Sequence, residues 1–444
     1  MILWRRRAKK YESVPESKPI PAIVPHGVGR RSTVYTEKRD NFKKDVIAVT
    51  GSCGKTTTVA MIHDVLATTY TLHKPLPDAN GTGGISNAIQ TLYKSTDDMW
   101  LSEVALYREG GMKCILDILK PTVKILTNLC NVHSTEFPST ENYYRETLSF
   151  LDDLRNASLV VINNDDPRIR SYMANADQIK KDSFDWKHYV RSNPGLLGID
   201  TEEKALRHWN MHGKGAVKIT RCGTSPTDDI QILEHAIQNN NISTRVRYRT
   251  PKGEISIVLN AIGKAYVFNA GYAIACGIHF GVPMDRIAAA LSAFKLHENR
   301  GSIHVLANAI VYNHTYNFTS LAALSNLSDF ANVNASNKII VLGPMLRETR
   351  DPNGELYLSI LNRALTITPH VFVFGSPEYF RSNYPTGIKI CTSTNELVAH
   401  MARVSRFVYI YLHTSSMLNT DCIPLFKLIE PELSTAFDRD LITD

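Results

Sequence analysis

The seven cysteines include no CxxC pair, which argues against a structural zinc site and for reduced thiols. No apolar run approaches the ~18 residues that a bilayer-spanning helix needs, so no membrane span is expected. Charge of one sign is scarce as well. Fifty Lys and Arg against 43 Asp and Glu leave a surplus of +7, part of it in Arg5, Arg6, Arg7, Lys9 and Lys10. So small a surplus suits an anionic small molecule and gives no sign of a nucleic-acid coat. Met1–Trp4 precede the basic cluster, the reverse of the order in a secretory leader, so the cytoplasm is the expected compartment. Internal repeats are absent, and nothing in the sequence sets an oligomeric state.

What is present reads as a soluble globular chain of two or three domains: 444 residues, 43% hydrophobic and 21% charged. Residues 1–44 carry Pro15, Pro19, Pro21 and Pro25 with many charges and few periodic apolar positions, and read as a loosely ordered basic arm. Ordered structure is expected to begin at Asp45. Val46–Thr50, Met99–Ala105, Val123–Thr127 and Leu159–Asn163 are apolar runs of strand length that end in polar residues. Helical spacing fills the intervals at Thr56–Ala67, Asn87–Tyr93 and Asn142–Leu154. Such alternation predicts an α/β fold, a parallel sheet with helices on both faces, whose ligands gather at the carboxyl ends of the strands. The stretch 204–259 is more polar and reads as an irregular or antiparallel extension. Asn269–Phe280 and Met284–Phe294 follow as helices. A second alternating set then runs through Ala309–Tyr312, Lys338–Leu342, His370–Phe374 and Phe407–Leu412. We expect a central ATP-binding domain over 45–298 and a smaller Rossmann-like α/β domain over 299–444.

The most informative segment is Gly51-Ser52-Cys53-Gly54-Lys55-Thr56-Thr57, which follows a strand and opens a helix. Glycines let the backbone approach phosphates and turn N–H groups toward them, and the helix N-terminus adds positive potential. Lys55 is expected to pair with β/γ-phosphate oxygens, and the Thr56 hydroxyl to reach Mg²⁺. Val49 stands where the commoner G-x-x-x-x-G-K-[ST] loop has its first glycine. No guanine-reading N-K-x-D motif follows, so ATP is the expected nucleotide.

The loop with its neighbours resembles the Mur ligase family, in particular the branch that adds D-alanyl-D-alanine to a UDP-muramoyl tripeptide. Gly81–Tyr93 looks like that family's substrate loop. Leu101-Ser102-Glu103 resembles its strand-end carboxylate for Mg²⁺, and Thr127-Asn128 with His133 resembles its T-N-x-x-x-x-H segment. Asn163–Pro167, Gly263…Asn269, Arg300, Tyr316-Asn317 and Val341–Leu346 look like further landmarks. The resemblance implies activation of a carboxylate by ATP and Mg²⁺ as an acyl phosphate, followed by attack of an amine. Its partners would be a small-molecule or peptide acid and an amine or amino acid. It also implies roles for this chain's residues: Lys55, Glu103 and His133 in catalysis; Thr56, Glu103 and His133 on metal; Gly51–Thr57, Asn128, Asn269 and Arg300 on nucleotide.

Three departures accompany the likeness. The family's carbamylated Lys, ten residues past Phe137, is Thr147 here, with Glu146 beside it but about 100° away around a helix. The His and first Asn of its adenine-binding segment become Ala265 and Tyr266, and the Asp expected near ribose is His314. Only 44 residues precede the strand, too few for the family's UDP-binding portion. These features point to an acid–amine ligase acting on an acid other than a UDP-muramoyl peptide; the alternative is a nucleotide-binding pseudo-ligase that serves as a partner or regulator.

Overall fold

The computed structural model describes residues 39, 41–73, 80–92, 96–130, 136–152, 154, 156–174, 217–238, 241–345, 354–376, 384–415 and 424–437. Most of the basic arm, and with it the expectation of loose order over 1–38, lies outside these. Packing does reach back past Asp45: Phe42 and the Arg39 side chain are buried. Arg39 donates to the carbonyls of Leu119, Phe42 and Lys120 at 2.6–2.8 Å.

The first sheet has nine strands: β1 (Asp45–Thr50), β2 (Leu72–His73), β3 (Met99–Glu103), β4 (Val123–Leu126), β5 (Leu159–Asn163), β6 (Lys218–Gly223), β7 (Ile230–Gln238), β8 (Ser243–Thr250) and β9 (Gly253–Leu259). Their spatial order is β2-β3-β1-β4-β5-β6-β7-β8-β9. Pairing is parallel from β2 to β7 and antiparallel from β7 through β9. Helices α1 (Lys55–Leu66), α2 (Thr82–Leu92), α3 (Gly111–Leu119), α4 (Thr140–Leu148) and α5 (Pro167–Met173) fall among the parallel strands, and α6 (Lys264–His279) and α7 (Met284–Ala293) follow β9.

Strand β1 shows why its run is apolar throughout. Ile47 and Val49 face a core built with α1 and α6, whereas Val46 and Ala48 face one built with α2, α3 and α4. Both faces are covered, so the period of two in side-chain direction leaves no polar side. Helix α6, buried from Tyr266 to Gly277, packs directly on α1 and so fixes the start of α1.

The second sheet comprises β10 (Ser302–Val305), β11 (Ala309–His314), β12 (Lys338–Leu342), β13 (Val371–Phe374), β14 (Lys389–Cys391) and β15 (Val408–His413), in the order β10-β11-β15-β12-β13-β14. Only β10–β11 is antiparallel. Helices α8 (Ser320–Ala331), α9 (Glu355–Leu365), α10 (Thr394–Ala402) and α11 (Leu425–Phe437) accompany it. Ile339 and Val341 of β12 join one core and Ile340 and Leu342 the other, so this sheet too is covered on both faces. The α/β class expected from the alternation is what the chain adopts.

Candidate active site

The carboxyl ends of β3, β1, β4 and β5 lie side by side, which gathers the polar residues that follow them. Between β1 and α1 the chain turns through Gly51 at φ 130° and Gly54 at φ 83°. Both conformations disfavour any side chain, and the space forbids one as well. A Cβ on Gly51 would stand 2.2 Å from Thr127 Oγ1, and one on Gly54 would stand 2.8 Å from Asn269 Oδ1. Asn269 on α6 thus presses against the loop. No side chain caps α1, which leaves its first N–H groups open to an anion. Thr57 lies in that first turn.

The back of the loop is bonded to the segment after β4. Ser52 N–H donates to the Asn128 carbonyl at 2.9 Å, and Cys53 N–H to Asn128 Oδ1 at 2.9 Å. The Cys53 carbonyl accepts from Thr127 Oγ1 at 2.7 Å and from Asn128 Nδ2 at 3.0 Å. Ser52 Oγ accepts from Cys130 N–H at 2.8 Å. Asn128 therefore shapes the loop instead of reaching outward from it. Lys55 Nζ curls over the loop, donating to the carbonyls of Gly51 at 2.7 Å and Ser52 at 3.0 Å.

Beside Lys55, the Thr56 hydroxyl donates to Glu103 Oε2 at 2.7 Å. Asn80 Nδ2 donates to Glu103 Oε1 at 3.0 Å, and Tyr107 OH in turn donates to Asn80 Oδ1 at 3.1 Å. From the segment leading into β10, Arg300 brings a guanidinium nitrogen within 3.0 Å of Thr56 Oγ1, and its plane lies 3.8 Å from the centre of the Tyr316 ring. A hydroxyl and a carboxylate side by side form a hard, all-oxygen donor set that suits Mg²⁺ and does not suit a thiophilic ion. The third expected metal residue, His133, lies outside the described residues.

The departures from the family's residues have local explanations. Thr147 is 1% exposed and donates its hydroxyl to the Tyr143 carbonyl one turn back at 2.8 Å. Glu146 accepts the Met112 N–H at 2.8 Å, supplying the N-terminus of α3 with a cap; it does not replace the absent lysine. Tyr266 is buried, with its hydroxyl donating to the Arg300 carbonyl at 2.9 Å, so it braces the backbone of Arg300. His314 meets Asn326 Nδ2 at 3.2 Å through Nδ1. Burial, with His413 alongside, holds its pKa well below the usual histidine range. Asp166, in the Asn163–Pro167 segment, caps α5 by accepting from Arg168 and Ile169, and its other oxygen accepts from Leu129 N–H at 2.8 Å.

Sequence reasoning missed Asn80, Tyr107 and Asp329. Asn80 directly precedes the Gly81–Tyr93 run and Tyr107 follows β3, so proximity to motifs was the available signal. Asp329 offered none. Its carboxylate accepts the Lys264 N–H at 3.1 Å beside Gly263, and burial pushes its pKa up to about 6. It borders a cavity of about 240 Å³ lined also by His235, Thr244 and Asn332.

Residues 49–193 match the family described as the Mur ligase middle domain. The chain resembles the Mur ligases. A UDP-N-acetylmuramoyl-tripeptide–D-alanyl-D-alanine ligase of Bacillus subtilis is 26% identical over 305 residues, covering 68% of this chain and 56% of that protein. The match thus spans little more than half the length of that relative. In fold, MurF from Acinetobacter baumannii superposes with a TM-score of 0.71 at 16% identity, over 94% of this chain and 84% of that one. MurF ligase from Thermotoga maritima, solved with ADP, gives 0.69 at 17% identity, over 95% and 88%. No helix among the described residues is long and apolar enough to cross a membrane.

Proposed function

We propose that this Mur ligase-like chain is an ATP-dependent, ADP-forming ligase that joins a carboxylic acid to an amine or amino acid through an acyl phosphate. The observation that carries the reading is the convergence of Thr56, Glu103 and Arg300 from the start of α1, β3 and the segment before β10 on one hydroxyl, with the Lys55 ammonium folded over the adjoining loop. Mg²⁺ bound at Thr56 and Glu103 would neutralise charge on the nucleotide's terminal phosphates. The loop's N–H groups orient those phosphates, and Lys55 exchanges its loop carbonyls for phosphate oxygens. Arg300, stacked on Tyr316, adds a second fixed cation where negative charge develops, and fixed cations cost no reorganisation during transfer. Glu103 is held from both sides by Thr56 and Asn80, so its oxygens are set before any ligand arrives. On this reading residues 45–298 supply the nucleotide site and 299–444 close it through Arg300 and the second sheet.

We further propose that the acid differs from UDP-muramoyl tripeptide. The support is the distance from the UDP-muramoyl tripeptide ligases, 26% identity over 56% of the length of the Bacillus subtilis enzyme. Thr147, whose burial and back-bonding leave no anionic group where the resemblance implies one, favours a second reading, a pseudo-ligase that binds nucleotide without turnover and acts through a partner. Phosphate release over a panel of acids and amines, the UDP-muramoyl tripeptide with D-alanyl-D-alanine included, separates them. Release stimulated by an acid–amine pair supports the ligase and identifies its substrates. ATP binding without stimulation by any pair supports the pseudo-ligase, and absence of ATP binding refutes both.

A further inference from the structure

Cys53 sits inside the phosphate loop and Cys130 lies two residues beyond Asn128. As sequence features each is unremarkable, one a variable loop position and the other a small residue after a strand. The fold brings their sulfurs to 3.5 Å. Around them the backbone is already joined: Cys53 N–H and carbonyl both bond to Asn128, and Cys130 N–H bonds to Ser52. Cys130 is 6% exposed and Cys53 is half-buried, so the loop side gives an oxidant its approach. A disulfide places the sulfurs about 2.05 Å apart, so the pair must close by only about 1.5 Å. That is a movement on the scale of side-chain rotation.

We propose that Cys53 and Cys130 are a redox modification site, forming a reversible disulfide across the phosphate loop with a hydroperoxide as oxidant. One sulfur, as thiolate, attacks the peroxide O–O bond and becomes a sulfenic acid, releasing water when the oxidant is hydrogen peroxide. The second sulfur then displaces that hydroxyl as a second water. Two thiols and one peroxide thus give one S–S bond and two waters, the sulfurs being oxidised and the peroxide reduced.

The consequence lies in the loop. Cys53 Sγ also stands 3.7 Å from Thr319 Oγ1, whose oxygen caps α8. Bond formation draws Cys53 toward Cys130 and away from Thr319, strains the bonds that Ser52 and Cys53 N–H make to Asn128, and so shifts Gly54 and the uncapped first turn of α1, whose N–H groups the reading above gives to phosphate. Oxidation therefore weakens ATP binding, an effect that rests on the nucleotide-site reading above; the disulfide itself does not.

The test uses the full chain, reduced or treated with hydrogen peroxide. Thiol mapping by peptide mass spectrometry is run alongside ATP calorimetry. A Cys53–Cys130 cross-linked peptide is expected, together with at least a tenfold loss of ATP affinity that dithiothreitol restores. Cys130→Ser should yield no such peptide and hold its ATP affinity within twofold through the same treatment. Oxidation of other thiols with no Cys53–Cys130 peptide overturns the site. The peptide with unchanged affinity overturns its effect on the loop. If the reduced chain binds no ATP, the nucleotide reading fails and the loop effect with it, while the peptide still decides the disulfide.

Discussion

Two sets of residues around the candidate site differ in what they bond. In the first set, Lys55, Thr56, Glu103 and Arg300 bond to one another or to loop carbonyls, partners that a nucleotide and its metal can replace. The positions where the resemblance implies an extra anion and nucleoside contacts hold residues that satisfy the protein itself. Thr147 bonds its own helix, Glu146 caps α3, Tyr266 braces the Arg300 backbone and His314 meets Asn326. Exchangeable polar groups signal a binding site, and mutually satisfied ones signal packing. On the proposed reading, the first set would hold a triphosphate, and the second set is where this chain has its own arrangement.

The largest test of that contrast is Lys55→Ala. Loss of the one ammonium over the loop should lower phosphate release by about 1000-fold, or ~4 kcal/mol of transition-state stabilisation, in a stimulated-turnover assay. Activity within tenfold of the parent would remove the first set from the mechanism. Next in size is Thr147→Lys, which puts the family's residue into a site that is already full. An unpaired ammonium there should cost about 3 kcal/mol of stability in denaturant unfolding, with no gain of bicarbonate-dependent turnover. A variant as stable as the parent, with bicarbonate now stimulating release, would show that the second set remains a metal site. Glu103→Gln keeps the shape and removes the charge. It should weaken Mg²⁺-dependent ATP binding about 30-fold, or ~2 kcal/mol, while ATP binding in chelator stays within a few-fold. Equal losses with and without Mg²⁺ would make Glu103 a packing residue.

How much of this could be read beforehand follows from the range of each interaction. The central parallel strands β1, β3, β4, β5, β11, β12, β13 and β15 were legible because burial on two faces forces an unbroken apolar run, and Leu159–Asn163 and Lys338–Leu342 fall where the reading put them. By contrast, β2, β6, β10 and β14 were not read as strands, and β7–β9 lie in a stretch read as an irregular or antiparallel extension. Helix α2 starts at Thr82, not Asn87, because Gly83 and Gly84 read as breakers although they sit within the helix. The expected helix Asn142–Leu154 is α4 from Thr140, capped by Ser139, followed by a 3₁₀ turn at Ser149–Leu151. At the site, two residues singled out beside motifs, Thr56 and Glu103, bond to each other. Contacts set by the fold were not legible. Arg39 reaches 80 residues along the chain to Leu119, the thiols of Cys53 and Cys130 converge from different loops, and Asp329 meets the start of α6. No local periodicity encodes such meetings. The packing partners of Tyr266 and His314 were hidden for the same reason, since whether a ring faces ligand or backbone depends on what the second sheet brings beside it.

Asp329 gives the smallest effect. Its pKa is pushed up to about 6 from 3.8 by burial, against the Lys264 N–H and ammonium, which favour the anion. A raised pKa means that the folded chain holds this proton more tightly than the unfolded one. Its contribution to stability is therefore complete below pH 3.8 and is lost as pH rises through about 6. An asparagine at this position would have no proton to lose and could still accept the Lys264 N–H. Asp329→Asn should accordingly gain stability over the parent as pH rises from about 4 to about 6.5 and hold that gain above. A shift of about two units corresponds to ~3 kcal/mol at most, and for a half-buried carboxyl solvent screening reduces the expected gain to about 1 kcal/mol. His413 titrates in the same window with the opposite sign, because burial holds it down to about 4, so only the difference between the two chains isolates Asp329. Denaturant midpoints for both chains at about pH 4.5, 5.5 and 7 provide that difference. A constant offset across the three would mean that the carboxyl keeps its charge throughout.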